Sequence, residues 1–167
     1  KALSAQCGET TNMTVRDERH IVYVARNKTQ QILSVDLHLG SRLPVYCTSM
    51  GKVQLVNLTR QELVDLLGEG PYLKRGPNTI TTLDGLIAEL GRVRGRGYAV
   101  NDEELVAGLR AVAAPVKGHS GRIVAAINIS VPSVRVSVEE LKQRLAPMVV
   151  DTAREISLTL GADIGAR

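Results

Sequence analysis

Hydrophobic and polar residues alternate along two stretches near the start of the chain. The segment Thr10 to Arg16 alternates strictly, and the segment Ile21 to Arg26 is apolar and rich in β-branched residues. Polar residues at Asp17 to His20 separate the two, so the pattern predicts a β-hairpin. A third alternating segment, Ile32 to His38, predicts another strand that ends at Gly40.

Further along, apolar residues recur at the three- and four-residue spacing of amphipathic helices. Two threonines, Thr48 and Thr59, stand where the first two patterns begin and are suitable N-caps, because the hydroxyl accepts from a free backbone N–H. A third helix is expected to start near Thr82. Thr59 has Glu62 at the capping-box position. The apolar stripes that follow are Met50, Val53, Leu55 and Val56, then Leu63, Leu66 and Leu67, then Leu83, Leu86, Ile87, Leu90 and Val93.

The second half of the chain returns to strands and closes with a helix. We expect a short strand at Tyr98–Val100, followed by a polar loop at Asn101–Glu104. A second hairpin is expected from Arg110–Lys117 and Arg122–Val131. Ser137 caps the closing helix, and Pro147 should kink or divide it because proline lacks the N–H for one ladder hydrogen bond. This order of elements predicts the α+β class, a mostly antiparallel sheet with helices packed on it.

Composition limits the possible functions. The 167 residues, 44% hydrophobic and 23% charged, fit one globular domain and exclude a disordered chain or a membrane span. With no Trp, no Phe and four Tyr, an aromatic cage or base-stacking platform is excluded too. The net charge of +4 is dispersed. Its largest cluster, Arg92, Arg94 and Arg96, ends a predicted helix, where the dipole favours cations, and needs no nucleic acid.

Two cysteines without a CxxC pair, Cys7 and Cys47, make neither a disulfide framework nor a zinc knuckle. We therefore expect a reducing, cytoplasmic setting. The chain begins at Lys1 without a visible leader, so we also expect a piece of a longer protein. No GxGxxG, P-loop or GxSxG motif is present, and no cofactor is predicted.

One strand carries an unusual polar row. Ala126, Asn128 and Ser130 share a face whose reverse side is wholly apolar. This row is either a solvated sheet face or the floor of a small polar ligand site, and the neighbouring hairpin strand offers only small residues beside it.

A second candidate is the helix start at Cys47 to Gly51, where first-turn N–H groups attract carboxylates and phosphates. Gly51 is unusual inside a helix, and close approach of a ligand or another backbone would explain it. Two alternatives stay open here. Cys47 could be a nucleophile with a histidine base, His38 among the candidates, or Asp36 and His38 could share a metal with Cys47.

Several segments together resemble a known family. The runs that carry the resemblance are Gly40–Lys52, Thr79–Thr81, Gly97–Ala99, Asp102–Glu104, Gly108–Val116 and Ala125–Ser130, in this order. They resemble the C-terminal effector-binding domain of IclR-type bacterial transcription regulators, closest to the subgroup that controls catabolism of aromatic acids through protocatechuate, 4-hydroxybenzoate and β-ketoadipate.

The resemblance implies a GAF/profilin-like fold, a bent antiparallel sheet with helices on both faces. It implies that residues 1–167 form an effector-sensing and oligomerisation domain, a homodimer or homotetramer, whose DNA-binding winged helix-turn-helix precedes Lys1. No membrane partner and no enzymatic activity are implied. The alternatives are a constitutive oligomerisation domain without a ligand, or a small Cys/His-dependent enzyme.

The family's effector pocket maps onto both candidate sites by motif position. The mapped residues are Val35, Leu43, Ser49, Met50, Asn101, Ala111, Asn128 and Ser130. Where some members have an acid, a cysteine and a serine, this sequence has Asn101, Ala111 and Asn128, which favours an acid different from glyoxylate or pyruvate. The sequence does not rank Arg16, Arg42, Arg110 and Arg122 as partners of the effector carboxylate.

Overall fold

The computed structural model describes residues 1–29 and 37–163, and a six-stranded antiparallel sheet forms its centre. The strands lie in the order β3-β2-β1-β6-β5-β4. Their bounds are β1 Thr10–Asp17, β2 His20–Asn27, β3 Arg42–Pro44, β4 Ala99–Asp102, β5 Leu109–Lys117 and β6 Ile123–Pro132. Both predicted hairpins are confirmed, and they meet where β1 pairs with β6, so that two segments far apart in sequence form the middle of the sheet.

Helices cover both faces of this sheet. Their bounds are α1 Ala2–Cys7, α2 Ser49–Leu55, α3 Arg60–Leu67, α4 Leu83–Arg96, α5 Val138–Glu140 and α6 Ala146–Thr159. The predicted caps Thr48 and Thr59 are confirmed, because each accepts a hydrogen bond from a first-turn N–H, and Thr59 forms its capping box with Glu62. Thr82, at the predicted start of the third helix, caps α4 in the same way. Among the described residues, no helix is long and apolar enough to cross a bilayer.

Two cores result, one on each face. Helices α2, α3 and α4 enclose the first with Ile21, Tyr23 and Ala126 of the sheet. Helices α1 and α6 enclose the second with Ile127, Ile129 and Val131. The face under α2 is called the α2 face below. The predicted division of β6 into a polar and an apolar side is therefore correct, and the polar side lies under α2.

The closing helix is divided as Pro147 predicts. Ser137 caps α5, a wider π-helical segment spans Leu141–Leu145, and α6 begins at Ala146. A π-helical turn directly before the proline removes the requirement for the N–H that Pro147 lacks.

Several predictions need correction. The predicted polar loop at Asn101–Glu104 is wrong at its start, because Asn101 and Asp102 continue β4 and pair with Ala111 and Arg110. Helix α1 and strand β3 were not expected, since neither shows a periodic pattern long enough to detect. Most of the predicted strand Ile32–His38 lies outside the described residues.

Candidate functional site

A row of polar side chains crosses three strands on the α2 face. Asn12 of β1 lies directly opposite Asn128 of β6, and its Nδ2 donates to Asn128 Oδ1 at 2.8 Å and to Ser130 Oγ at 3.4 Å. Asn128 Nδ2 donates to Ser130 Oγ at 3.1 Å. Arg26 of β2 completes the row, because its Nη1 donates to Asn12 Oδ1 at 3.2 Å. These four residues, Arg26, Asn12, Asn128 and Ser130, are called the polar row.

A bulge in β2 brings Arg26 to this face. Met13 pairs with Ala25 while Thr14 pairs with Tyr23, so Val24 is an extra residue. Such an insertion shifts the strand's alternation by one. Tyr23 and Arg26 consequently share the α2 face, although simple alternation would place them on opposite faces.

Helix α2 packs on the same face of the sheet and contacts Thr14, which follows Asn12 on that face of β1. Thr14 Oγ1 donates to Met50 Sδ at 3.4 Å, and Gln54 Nε2 donates to Thr14 Oγ1 at 3.2 Å, which ties the helix to β1. Ser49, the first residue of α2, is 1% exposed, and its hydroxyl has no hydrogen-bond partner among the described residues. A buried hydroxyl without a partner is uncommon and calls for an explanation.

Gly51 is explained by its own backbone neighbour. A Cβ at this position would overlap the carbonyl of Val45, so only glycine lets α2 pack against the segment that precedes it. Of the two explanations offered by the sequence, close approach of another backbone is the correct one.

The other predicted site residues lie around this space to differing degrees. Asn101 is buried and bonded to protein groups, since its Nδ2 donates to Cys47 O at 3.0 Å and its Oδ1 accepts from Glu104 N at 3.0 Å. It therefore joins β4 to the segment just before α2. Ala111 is buried directly opposite Ser130, and Leu43 is half-buried in β3. Val35 lies outside the described residues.

Cys47 has the environment of a structural residue. It is fully buried, and burial raises the pKa of its thiol to about 12. In residues 1–29 and 37–163, no hydrogen bond joins it to a histidine, and no group of three His, Cys, Asp or Glu residues could hold a metal ion. Asp36 of the suggested metal pair lies outside the described residues.

Lys52 forms a second buried polar network under α2. Its Nζ donates to Val100 O at 2.6 Å and to Glu104 Oε1 at 2.5 Å, and lies 3.8 Å from Glu89 Oε1. Burial raises the pKa of Glu104 in spite of Lys52. Glu89 also pairs with Arg92 and Arg96, so those arginines serve the protein's own structure. Arg94 donates to Val56 O in a similar role.

A separate cavity of about 140 Å³ lies on the opposite face of the sheet. Residues from α1, α6, β1, β2 and β6 line it, among them Leu3, Met13, Ile127 and Ile156. It borders the second core, and Asn12 is the one member of the polar row among its lining residues.

Sequence reasoning missed Asn12 and Arg26. Asn12 stands in the polar register of the first strand, but its meeting with Asn128 depends on the β1–β6 pairing, which spans 116 residues. Arg26 could not be assigned to this face without knowledge of the bulge at Val24.

The chain matches known proteins over nearly its whole length. The sequence profile described as bacterial transcriptional regulator IclR C-terminal matches residues 1–158. The chain belongs to this family. The Pca regulon regulatory protein of Pseudomonas putida is 37% identical over 155 residues, which cover 92% of this chain and 53% of that protein. The chain thus spans about half the length of this curated relative.

Solved structures of IclR C-terminal domains agree with the fold. The C-terminal domain of the Escherichia coli regulator KdgR superposes with a TM-score of 0.84 at 34% identity, covering 96% of this chain and 92% of that one. The inducer-binding domain of a PobR double mutant from Acinetobacter, in complex with 3-hydroxybenzoic acid, gives 0.84 at 34% identity, covering 93% and 91%. The predicted fold class and family are confirmed. These relatives are transcription regulators and not enzymes, and the chain corresponds to the C-terminal domain of such a regulator.

Proposed function

We propose that this domain senses a small organic acid, an aromatic carboxylic acid foremost, bound between the start of α2 and the sheet. The pocket would comprise Val35, Leu43, Ser49, Met50, Asn101, Ala111, Asn128 and Ser130. The observation that carries the proposal is the Ser49 hydroxyl, which is buried without a partner among the described residues on a helix that packs on the same face of the sheet as the polar row. The hydroxybenzoic acid bound to the PobR relative supports an aromatic acid as the first candidate.

The competing hypothesis is a constitutive oligomerisation domain without a ligand. One of its expectations holds, because Asn128 and Ser130 do pair with Asn12 and with each other. The Ser49 hydroxyl and the Arg26 Nε, however, are buried without partners among the described residues, which a network built only for structure does not require. These free donors favour a ligand site.

In the full-length regulator, we propose that effector binding shifts the equilibrium between two arrangements of a homodimer or homotetramer and thereby changes DNA binding by an N-terminal winged helix-turn-helix. Such coupling requires that the acid bind one arrangement more tightly than the other. Sedimentation velocity of the full-length protein with and without the acid tests this step, and an unchanged assembly and operator affinity would contradict it.

Calorimetry tests the site itself. The panel is protocatechuate, 4-hydroxybenzoate, β-ketoadipate and shorter acids, titrated into the wild type and into the double variant Asn128→Ala/Ser130→Ala. Loss of two hydrogen bonds should weaken binding about 10-fold or more. The control Asn57→Ala/Ser120→Ala removes the same groups from exposed positions and should bind as the wild type does. Failure of every acid to bind more tightly than millimolar, or unchanged affinity in the double variant, would refute the assignment.

A further inference from the structure

We infer that Arg26 is the cationic partner of the effector's carboxylate and that Asn12 positions it. This inference rests on the proposed effector site and deepens it by naming the residue that recognises the charge. It was not among the four arginines that the sequence offers as candidates.

The first support for this role of Arg26 is that its charge has no carboxylate partner among the described residues. Among the described residues, no carboxylate lies within 4 Å of Arg26, whereas Arg42 and Arg110, two of the sequence candidates, are already paired with Asp17 at 2.5 Å and Asp102 at 2.6 Å. Within residues 1–29 and 37–163, Arg26 bonds only to the neutral amide of Asn12, and its Nε is buried without a hydrogen-bond partner. A guanidinium cannot release its proton to relieve this, so a bound anion is the natural complement.

The second support is the direction of the hydrogen bonds along the polar row. Arginine only donates, so the Asn12 oxygen must face Arg26 and the Asn12 amide nitrogen must face β6. Asn128 Oδ1 then accepts from Asn12, which turns the Asn128 nitrogen towards Ser130. Ser130 Oγ accepts from both amides, and its own hydrogen is left to donate outward.

The row therefore presents donors at both of its ends. Arg26 stands two strands from Ser130, which is also two residues along β6 from the residue in line with Arg26, so the two backbone positions are about 12 Å apart. Small residues lie beyond, since Ala111 and Ala113 face Ser130 and Asn128 from β5. This arrangement fits an acid whose carboxylate reaches Arg26 and whose second oxygen, a hydroxyl, a keto group or another carboxylate, accepts from Ser130.

Tyr23 does not supply a competing charge. It is 5% exposed on the same face, and burial raises its pKa to about 12, although the positive charge of Arg26 lowers it in part. The phenol is thus neutral at physiological pH, and Arg26 keeps its charge available for a ligand.

The test compares each acid with its uncharged amide. Benzoate, 4-hydroxybenzoate and protocatechuate, with their primary amides, and β-ketoadipate are titrated into the wild type, Arg26→Gln and Arg42→Gln. Arg42→Gln is the control, because Arg42 is exposed and paired with Asp17. We expect the wild type to prefer acid over amide by about 10- to 100-fold, Arg26→Gln to lose that preference, and Arg42→Gln to keep it.

Side-chain NMR provides a second readout, in which the wild type itself is titrated and a variant serves only to assign the signal. In a ¹⁵N-labelled sample, the Nε–Hε signal of Arg26 should shift on addition of the acid and stay in place with the amide. The signal is assigned by its absence in Arg26→Gln or, if that variant does not fold, in Arg26→Lys.

The outcomes separate the two proposals. An acid that binds Arg26→Gln as tightly as the wild type, or that binds no better than its amide, overturns the role of Arg26 and leaves the effector site standing. If no acid of either panel binds the wild type, the effector site itself is refuted, and the role of Arg26 with it.

Discussion

Two cations on the α2 face of the sheet, Lys52 and Arg26, have opposite surroundings. Lys52 is fully buried and reaches a backbone carbonyl, Glu104 and Glu89. Arg26 is half-buried and, in the part of the chain that the structure describes, reaches one amide oxygen. Buried charges are tolerated when the protein pairs them and are costly otherwise. The comparison indicates that the Lys52 network holds the fold together, whereas the polar row keeps an open donor at Arg26 Nε, which the proposal assigns to a ligand.

The Lys52 network has one open group as well, and the contrast is instructive. Glu104 Oε2 is buried without a partner among the described residues, and burial raises the pKa of this carboxyl. A carboxylate in that situation can take up a proton and become neutral. Arg26 has no such option, because a guanidinium stays charged at every accessible pH. An open donor on an arginine therefore points to a ligand more strongly than an open acceptor on an acid.

The largest effect is expected for Lys52→Met. It removes the cation and leaves two buried carboxylates without it, so the free energy of unfolding should fall by about 3–5 kcal/mol. Urea unfolding measures this directly. Lys74→Met, at an exposed loop position, should change stability by less than about 0.5 kcal/mol. A loss under about 1 kcal/mol for Lys52→Met would show that the Lys52 network is dispensable for stability and would contradict the difference drawn between Lys52 and Arg26.

Gly51→Ala tests the element that both networks share. The added methyl group meets the Val45 backbone, which cannot move aside as a side chain could, so a loss of about 1–3 kcal/mol is expected. Gly91→Ala is the matched control in α4, where a Cβ meets no atom within 4 Å, and should stabilise by about 0.5–1 kcal/mol. Because Ser49 and Lys52 both stand on α2, Gly51→Ala should also weaken effector binding, and unaltered stability would contradict the tight approach.

Arg26→Met should behave unlike Lys52→Met. Removing a cation that no acid of the described residues balances costs little, and we expect the free energy of unfolding to change by less than about 1 kcal/mol. The same urea titration compares the two variants side by side. A loss of about 3 kcal/mol or more for Arg26→Met would place Arg26 with the structural network.

Most of the fold could be predicted from local pattern, but the polar row could not. The caps at Thr48, Thr59 and Thr82 and both hairpins follow from residue types and spacing within a few positions. The row depends on the β1–β6 register, which no local signal fixes, and on the bulge at Val24, which reverses the face of Arg26. Asn128 and Ser130 were found because their own strand alternates, whereas their partner Asn12 belongs to a strand 116 residues away from Asn128.

The smallest expected effect concerns Glu104 and Glu89, the two acids of the Lys52 network, which should make the free energy of unfolding depend on pH in opposite directions. Burial raises the pKa of Glu104 above its ordinary 4.5, so just above pH 4.5 the folded protein holds a proton that the unfolded chain releases. The free energy of unfolding should therefore fall as pH rises through that window. For Glu89, burial is outweighed by Lys52, Arg92 and Arg96, which lower its pKa, so its contribution to stability is lost as pH falls below 4.5.

Urea unfolding across pH 3–7, a range of about four units around these pKa values, separates the two acids. In Glu104→Gln, the free energy of unfolding should no longer fall as pH rises above 4.5, while its loss below pH 4.5 should remain. In Glu89→Gln, the loss below pH 4.5 should become smaller, while the fall above pH 4.5 should remain. If the free energy of unfolding of Glu104→Gln depended on pH above 4.5 just as that of the wild type does, the Glu104 carboxyl of the wild type would be ionised in the folded protein. In that case the open oxygen of Glu104 would need a partner just as Arg26 does, and the distinction drawn between the two networks would no longer hold.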